Sequence, residues 1–166
     1  MRKEKDGEAM RFPSSRQEAE AWFRQYGWSP ERDIGAEADA LIQKAREQAA
    51  EYGVSYVVSE YARDFIRSFG GLRILFDDSP ENHFVTKPGF AYKGDAEGIE
   101  EFSGELGESL FPLGFDTYDG AVMLVDGRGR FFLMHHTGNY YLGDDALQAV
   151  TNFMTADMED AEDFYV

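Results

Sequence analysis

The 166-residue chain contains no cysteine. That removes disulfide frameworks, thiolate metal sites and cysteine nucleophiles, and it suits a reducing, cytoplasmic setting. Long apolar runs are missing too. The longest uninterrupted one is the five residues Ala121 to Val125, against ~20 needed to span a bilayer. Met1-Arg2-Lys3-Glu4-Lys5-Asp6 leads into no apolar stretch, so no secretory signal is expected. Positive charge is the third scarcity: 16 Lys and Arg face 32 Asp and Glu, a net −16. This argues against holding nucleic-acid phosphates, which takes clustered Lys and Arg. It argues equally against binding an anionic membrane surface. It fits a basic protein partner, whose encounter an opposite field accelerates, and it keeps a protein soluble whatever the partner.

What is present is a core. Hydrophobic residues make up 43% and aromatics 15% of the chain, enough to fold despite the charge. The length fits one domain. The charge is lopsided. Residues 1–33 hold seven basic and seven acidic side chains, whereas residues 94–166 hold 2 basic ones, Arg128 and Arg130, and 16 acidic ones, a balance of −14. A one-sided field serves recognition better than an even one, at the cost of self-repulsion.

Residues 1–11 are charged and aperiodic and are read as a flexible N-terminus. Ser14 with Gln17, or Ser15 with Glu18, has capping-box spacing. Ala19, Trp22, Phe23 and Tyr26 then lie on one helical face, and Gly27 stops the helix. A second helix is expected from about Ala36 to Tyr52, with the stripe Ala38, Leu41, Ile42, Ala45, Ala49 and Tyr52. Ser59 caps a third, which ends at Gly70-Gly71 and leads into the strand Leu72 to Phe76. Asp77 to Pro80 reads as a turn, and His83 to Tyr92 as one or two short strands. Asp95 caps a fourth helix through Ile99, Phe102, Leu106 and Leu110, ended by Phe111-Pro112-Leu113-Gly114. Ala121–Val125 and Phe131–Met134 flank a Gly-rich link and form a central hairpin covered on both faces. Asp144 or Asp145 caps a last helix, after which the acidic tail, residues 156–166, loosens. Helices first, then strands mixed with helices, is an α+β order: a single domain with a central, mainly antiparallel sheet and helices packed around it.

The motifs that carry chemistry are few. His135-His136 invites a metal reading, but neighbours on a strand point to opposite faces, and His83 is the one other histidine. No metal site and no cofactor are expected. Gly127-Arg128-Gly129 precedes a strand instead of a helix, so it reads as a turn and not as a phosphate loop. A Gly-x-Ser-x-Gly elbow is absent. Carboxylate pairs such as Glu100-Glu101 and Asp144-Asp145 read as caps and solvated faces. Trp28, Tyr118, Tyr140 and Tyr141 fall in turns or at element ends beside carboxylates. They serve either as lids over the core or as a protein-binding edge.

Taken in order, several blocks are diagnostic: Phe12-Pro13-Ser14, Gly27-Trp28-Ser29-Pro30-x-Arg32, Phe65-x-x-x-Phe69-Gly70-Gly71-Leu72, Leu110-Phe111-Pro112-Leu113-Gly114, Asp119-Gly120, Val125-Asp126-x-x-Gly129-Arg130-Phe131 and Leu142-Gly143-Asp144. The chain resembles the third family of the SUKH superfamily, bacterial toxin-immunity proteins, over about residues 12–155. The resemblance implies a SUKH-like α+β domain, encoded beside a polymorphic toxin, that occludes its toxin by binding and catalyses nothing. Phe115 stands where the family usually has Glu, with Asp116 following, and the tail extends past the familiar end. The blocks themselves read as framework, so no contact residue is carried over.

The leading expectation is therefore a cytoplasmic immunity protein binding a cognate, basic toxin, a nuclease or nucleic-acid deaminase. The expected contact residues are Trp28, Glu97, Glu100, Glu101, Asp116, Tyr118, Asp119, Tyr140, Tyr141, Asp144 and Asp145. The alternatives are an intracellular scaffold or regulatory module of the same fold, and an enzyme using His135 or His136 with a nearby carboxylate. The sequence leaves the oligomeric state open.

Overall fold

A computed structural model describes residues 13–76, 81–90 and 92–166. The expectations for residues 1–11 and for the turn at 77–80 lie outside the described residues. Helix α1, Arg16–Arg24, starts where the capping pattern places it: Ser15 Oγ accepts from Glu18 N, and the Glu18 carboxylate accepts from Ser14 N and Oγ. Helix α2 is Ala36–Glu51, and α3 is Glu60–Phe69 with Ser59 Oγ accepting from Ala62 N at 3.2 Å. Strands β1, Arg73–Leu75, and β2, His83–Val85, follow, then α4, Asp95–Leu106. Strands β3, Leu110–Asp116, β4, Val122–Asp126, β5, Phe131–His135, and β6, Gly138–Gly143, come next. Helix α5, Ala146–Thr155, the two-residue strand β7, Glu159–Asp160, and a 3-10 turn, Ala161–Phe164, close the chain.

The seven strands form one antiparallel sheet in sequence order, β1 to β7. Consecutive side chains of β5 sort the layers. Phe131 meets Phe65 of α3, and Leu133 lies with Phe153 of α5. Phe132 meets Phe102 of α4, and Met134 lies against Gly98 of α4. So α3 and α5 cover one face, with α2 on α3 and α1 on α5, while α4 and the 3-10 turn cover the other. Burial on both faces explains why every residue of β4 is buried.

Three local expectations are corrected. The fourth helix ends at Leu106, because Gly107 takes the left-handed conformation (φ +66°), and Leu110 to Gly114 form strand β3 instead of a helix end. Leu110 matches helical spacing only by coincidence. Proline is tolerated in β3 because the register slips between Pro112 and Gly114. Tyr140 and Tyr141 lie within strand β6, whereas the sequence pattern puts them at a turn or element end. The tail does not loosen: β7 pairs with β6, Ala161 is fully buried, and Val166 N donates to Glu105 O at 2.9 Å.

The Gly70-Gly71 corner is stitched by side chains. Arg32 donates to Ser68 O and Gly70 O, both at 2.7 Å, satisfying carbonyls at the end of α3. Fully buried Thr86 accepts from Leu72 N at 2.8 Å through Oγ1 and donates to Phe69 O. Thr86→Val keeps the shape and strands both backbone groups. It is expected to cost about 1–3 kcal/mol, read as a lower urea midpoint at unchanged m-value.

Candidate partner-binding surface

Because β3 to β6 run antiparallel, the β3–β4 turn and the β5–β6 hairpin emerge at the same end of the sheet. Asp116 shapes the first. It is 6% exposed, and its Oδ1 accepts from Tyr118 N at 2.7 Å. This Asx-type contact folds the turn and throws Tyr118 outward, 71% exposed. Gly120 (φ +69°) carries the ring of Tyr92 so closely that a Cβ has no room there. Asp119 reaches across to the hairpin, its Oδ2 lying 3.6 Å from His135 Nε2. His135 Nδ1 lies 2.7 Å from Thr137 Oγ1 and accepts from Thr137 N at 3.3 Å, and Thr137 Oγ1 lies 2.9 Å from the Tyr140 hydroxyl. Since Thr137 N donates to Nδ1, the proton of a neutral ring sits on Nε2, facing Asp119. Burial pushes the His135 pKa down, helped by His136, and the nearby Asp119 and Asp116 oppose the shift. The two histidine rings lie 3.9 Å apart. The sequence placed them on opposite faces, but β5 ends at His135 and the chain turns at once. Among the described residues, no group of three or more His, Cys, Asp or Glu is placed to hold a metal ion.

Between this end of the sheet and the last turn of α5 lies a cleft of about 550 Å³, with Asp116, Asp119, His135, Thr137 and Tyr140 on its polar side and Leu133, Phe153 and Met154 below. A second hollow of about 610 Å³ lies between the start of α1 and α5, lined mainly by hydroxyl and amide side chains.

The other expected contact residues lie elsewhere. Glu97, Glu100 and Glu101 are exposed on α4. Asp144 and Asp145 sit at the opposite end of β6, each with a framework task. Asp144 accepts from the Tyr141 hydroxyl at 2.8 Å, and burial followed by that carboxylate pushes the Tyr141 phenol up to about 12. Asp145 caps α5 at Gln148 N and pairs with Arg16 at 3.2 Å, tying α1 to α5. Trp28 is corrected outright: it is 6% exposed, stacks on Phe69 at 5.1 Å and donates to Ser68 Oγ. Of the Gly-Trp-Ser-Pro block, only the Trp28 ring enters the core. Asp116 is likewise withdrawn from the solvent by its turn. Apart from buried Trp28, the expected set thus divides into an acidic helix face (Glu97, Glu100, Glu101), a capping end (Tyr141, Asp144, Asp145) and a cleft end, and only the last lines a cavity together: Asp116, Asp119 and Tyr140.

Sequence reasoning gave Asp126 no role of its own. It is fully buried, accepts from Arg128 N and Arg130 N at 2.9 Å each, and pairs with Arg130 Nε at 2.7 Å. Arg130, 15% exposed, also lies over the rings of Phe132 and Phe164. One of the two cations of residues 94–166 is therefore spent internally, on Asp126.

The fold is an α+β domain whose negative charge is concentrated in the second half of the chain, with one cleft at the β3–β4 end of its sheet. The chain belongs to the SUKH-3 immunity protein family, whose model matches residues 15–156. Comparison with curated proteins and with solved structures returns no match. Among the described residues, no helix is long and apolar enough to cross a membrane.

Proposed function

We propose that this chain protects its own cell in the cytoplasm by binding a cognate toxin of a polymorphic toxin system, one to one, and occluding it without catalysis. Membership of an immunity family carries the reading. The charge supports its finer part. A nuclease or nucleic-acid deaminase presents cationic groups to phosphates, and the −14 of residues 94–166 is complementary to them. Exposed carboxylates such as Glu97, Glu100 and Glu101 act mainly on the association rate, and aromatic anchors on dissociation.

The test is co-expression of the toxin domain encoded beside this chain, with and without it. Cells are expected to survive with it and die without it. Equal killing overturns the reading, and recovery of several housekeeping proteins in place of a toxin favours a scaffold.

A further inference from the structure

Three features compete for a second role. The hollow between α1 and α5 is lined by neutral polar groups, two carboxylates and the Arg16 guanidinium, which is already paired with Asp145, so nothing chooses an occupant. The hydroxyl of buried Tyr56 has no hydrogen-bond partner among the described residues, and Tyr56 lines neither of the two hollows described above. The cleft at the β3–β4 end is different, because its walls divide by chemistry.

Its floor is apolar: Leu133, Phe153 and Met154 are each at most 4% exposed, and Met158 closes one side. Its rim carries carboxylates and hydroxyls, and among the described residues no Lys or Arg lines it. Asp119 is 44% exposed at the mouth, and its partner is a histidine that burial keeps toward the neutral form. The carboxylate therefore faces the cleft without a full counter-charge. Such a site matches a long side chain with an apolar stem and a cationic head. Between the two basic residues, the guanidinium is the more weakly hydrated and pairs with a carboxylate through a planar fork, so an apolar-floored cleft favours it over an ammonium. Thioether groups let the walls adjust to the stem.

We propose that this cleft receives an arginine side chain of the partner protein, its head on Asp119 and its stem over Leu133 and Met158, with Tyr118 packing beside it. The assignment of that partner as a toxin rests on the reading above.

The experiment titrates the isotope-labelled full chain with N-acetyl-arginine methylamide, and with its neutral citrulline counterpart, while following backbone amide shifts by NMR. Saturable shifts are expected in residues 117–121 and 135–140 with the arginine compound alone. They are expected to vanish in Asp119→Asn and persist in Glu51→Gln, which removes the same charge at the exposed end of α2. Absent shifts in the parent chain, equal shifts with citrulline, or shifts that survive Asp119→Asn overturn the proposal. A melting curve of Asp119→Asn matching the parent confirms that the loss is local. If that variant is unfolded, Thr155→Trp, at the exposed rim of the cleft, replaces it and is expected to block the arginine compound; binding that survives this block overturns the proposal. The neighbouring toxin domain is then measured against the same variants. Asp119→Asn is expected to weaken it at least ~10-fold and Glu51→Gln far less. Unchanged toxin affinity in Asp119→Asn overturns the cleft assignment. Arginine binding in the cleft with no toxin binding by the parent chain leaves the pocket standing and removes the toxin reading.

Discussion

Asp126→Ala is expected to lower the stability of the domain by about 3–5 kcal/mol, the cost of breaking a buried ion pair by removing one partner. Asp126 is fully buried and its Oδ1 holds two backbone N–H groups of the hairpin turn, those of Arg128 and Arg130. Alanine orphans both donors and leaves the Arg130 guanidinium without its carboxylate in a 15% exposed position. Asp126→Asn keeps an acceptor for the turn and loses only the charge, so its cost is expected to fall between the parent and alanine. Arg130→Ala is expected to cost less than Asp126→Ala, because it leaves the turn hydrogen bonds in place. Urea denaturation of the three variants measures this order. Equal losses for Asp126→Asn and Asp126→Ala would mean that the charge, and not the backbone contacts, holds the turn. Against a typical total of about 5–15 kcal/mol, the alanine change is large enough to leave a measurable unfolded fraction on modest warming.

Removing residues 157–166 is expected to cost a similar amount, about 3–5 kcal/mol, although these residues lie beyond the family match, which ends at residue 156. Phe164 packs on Tyr141 at 4.4 Å and on Phe132 at 5.9 Å, and Tyr165 lies against Phe102 at 6.2 Å. Ala161 is fully buried beneath them. Without the tail, the apolar surface between α4 and β6 meets water and β6 becomes a bare edge. The truncated chain should melt earlier, bind a hydrophobic dye and associate as concentration rises. Phe164→Ala, which removes one half-buried ring, is expected to show about half the loss. A truncated chain that melts with the full one would mean the tail contributes no net stability.

The helices were legible because each announces itself locally. Ser15 and Ser59 carry cap spacings, Gly27 (φ +96°) stops the first helix, and the stripes Ala19-Phe23 and Ala62-Phe65-Ile66-Phe69 repeat at helical period, whereas the stop at Gly107 was missed. The central hairpin was legible from its turn, whose Gly129 adopts φ +82°. Strand β3 was not, because its identity depends on pairing with β2, which lies beyond the whole of α4, as well as with β4, and because a proline inside a strand argues against one until the bulge is seen. Strand β6 was hidden by its two tyrosines, whose half-burial follows from lying under α5 on one face and Phe164 on the other. The tail was hidden by its five carboxylates. All of them sit on residues 157–163, while Ala161, Phe164 and Tyr165 turn inward. Among candidate contacts, exposure on α4 followed from the helical stripe. The division of the remainder followed only from strand direction, which decides that Asp119 meets His135 while Asp144 emerges at the far end.

The strands pair in the order they are written, so each one's neighbour has already left the ribosome when it appears. The sheet can grow by single additions, with few long chain closures to wait for. The closing strand and the aromatic ring behind it arrive last. Until residues 159–164 have been made, the sheet face that they share with α4 stays open along β6.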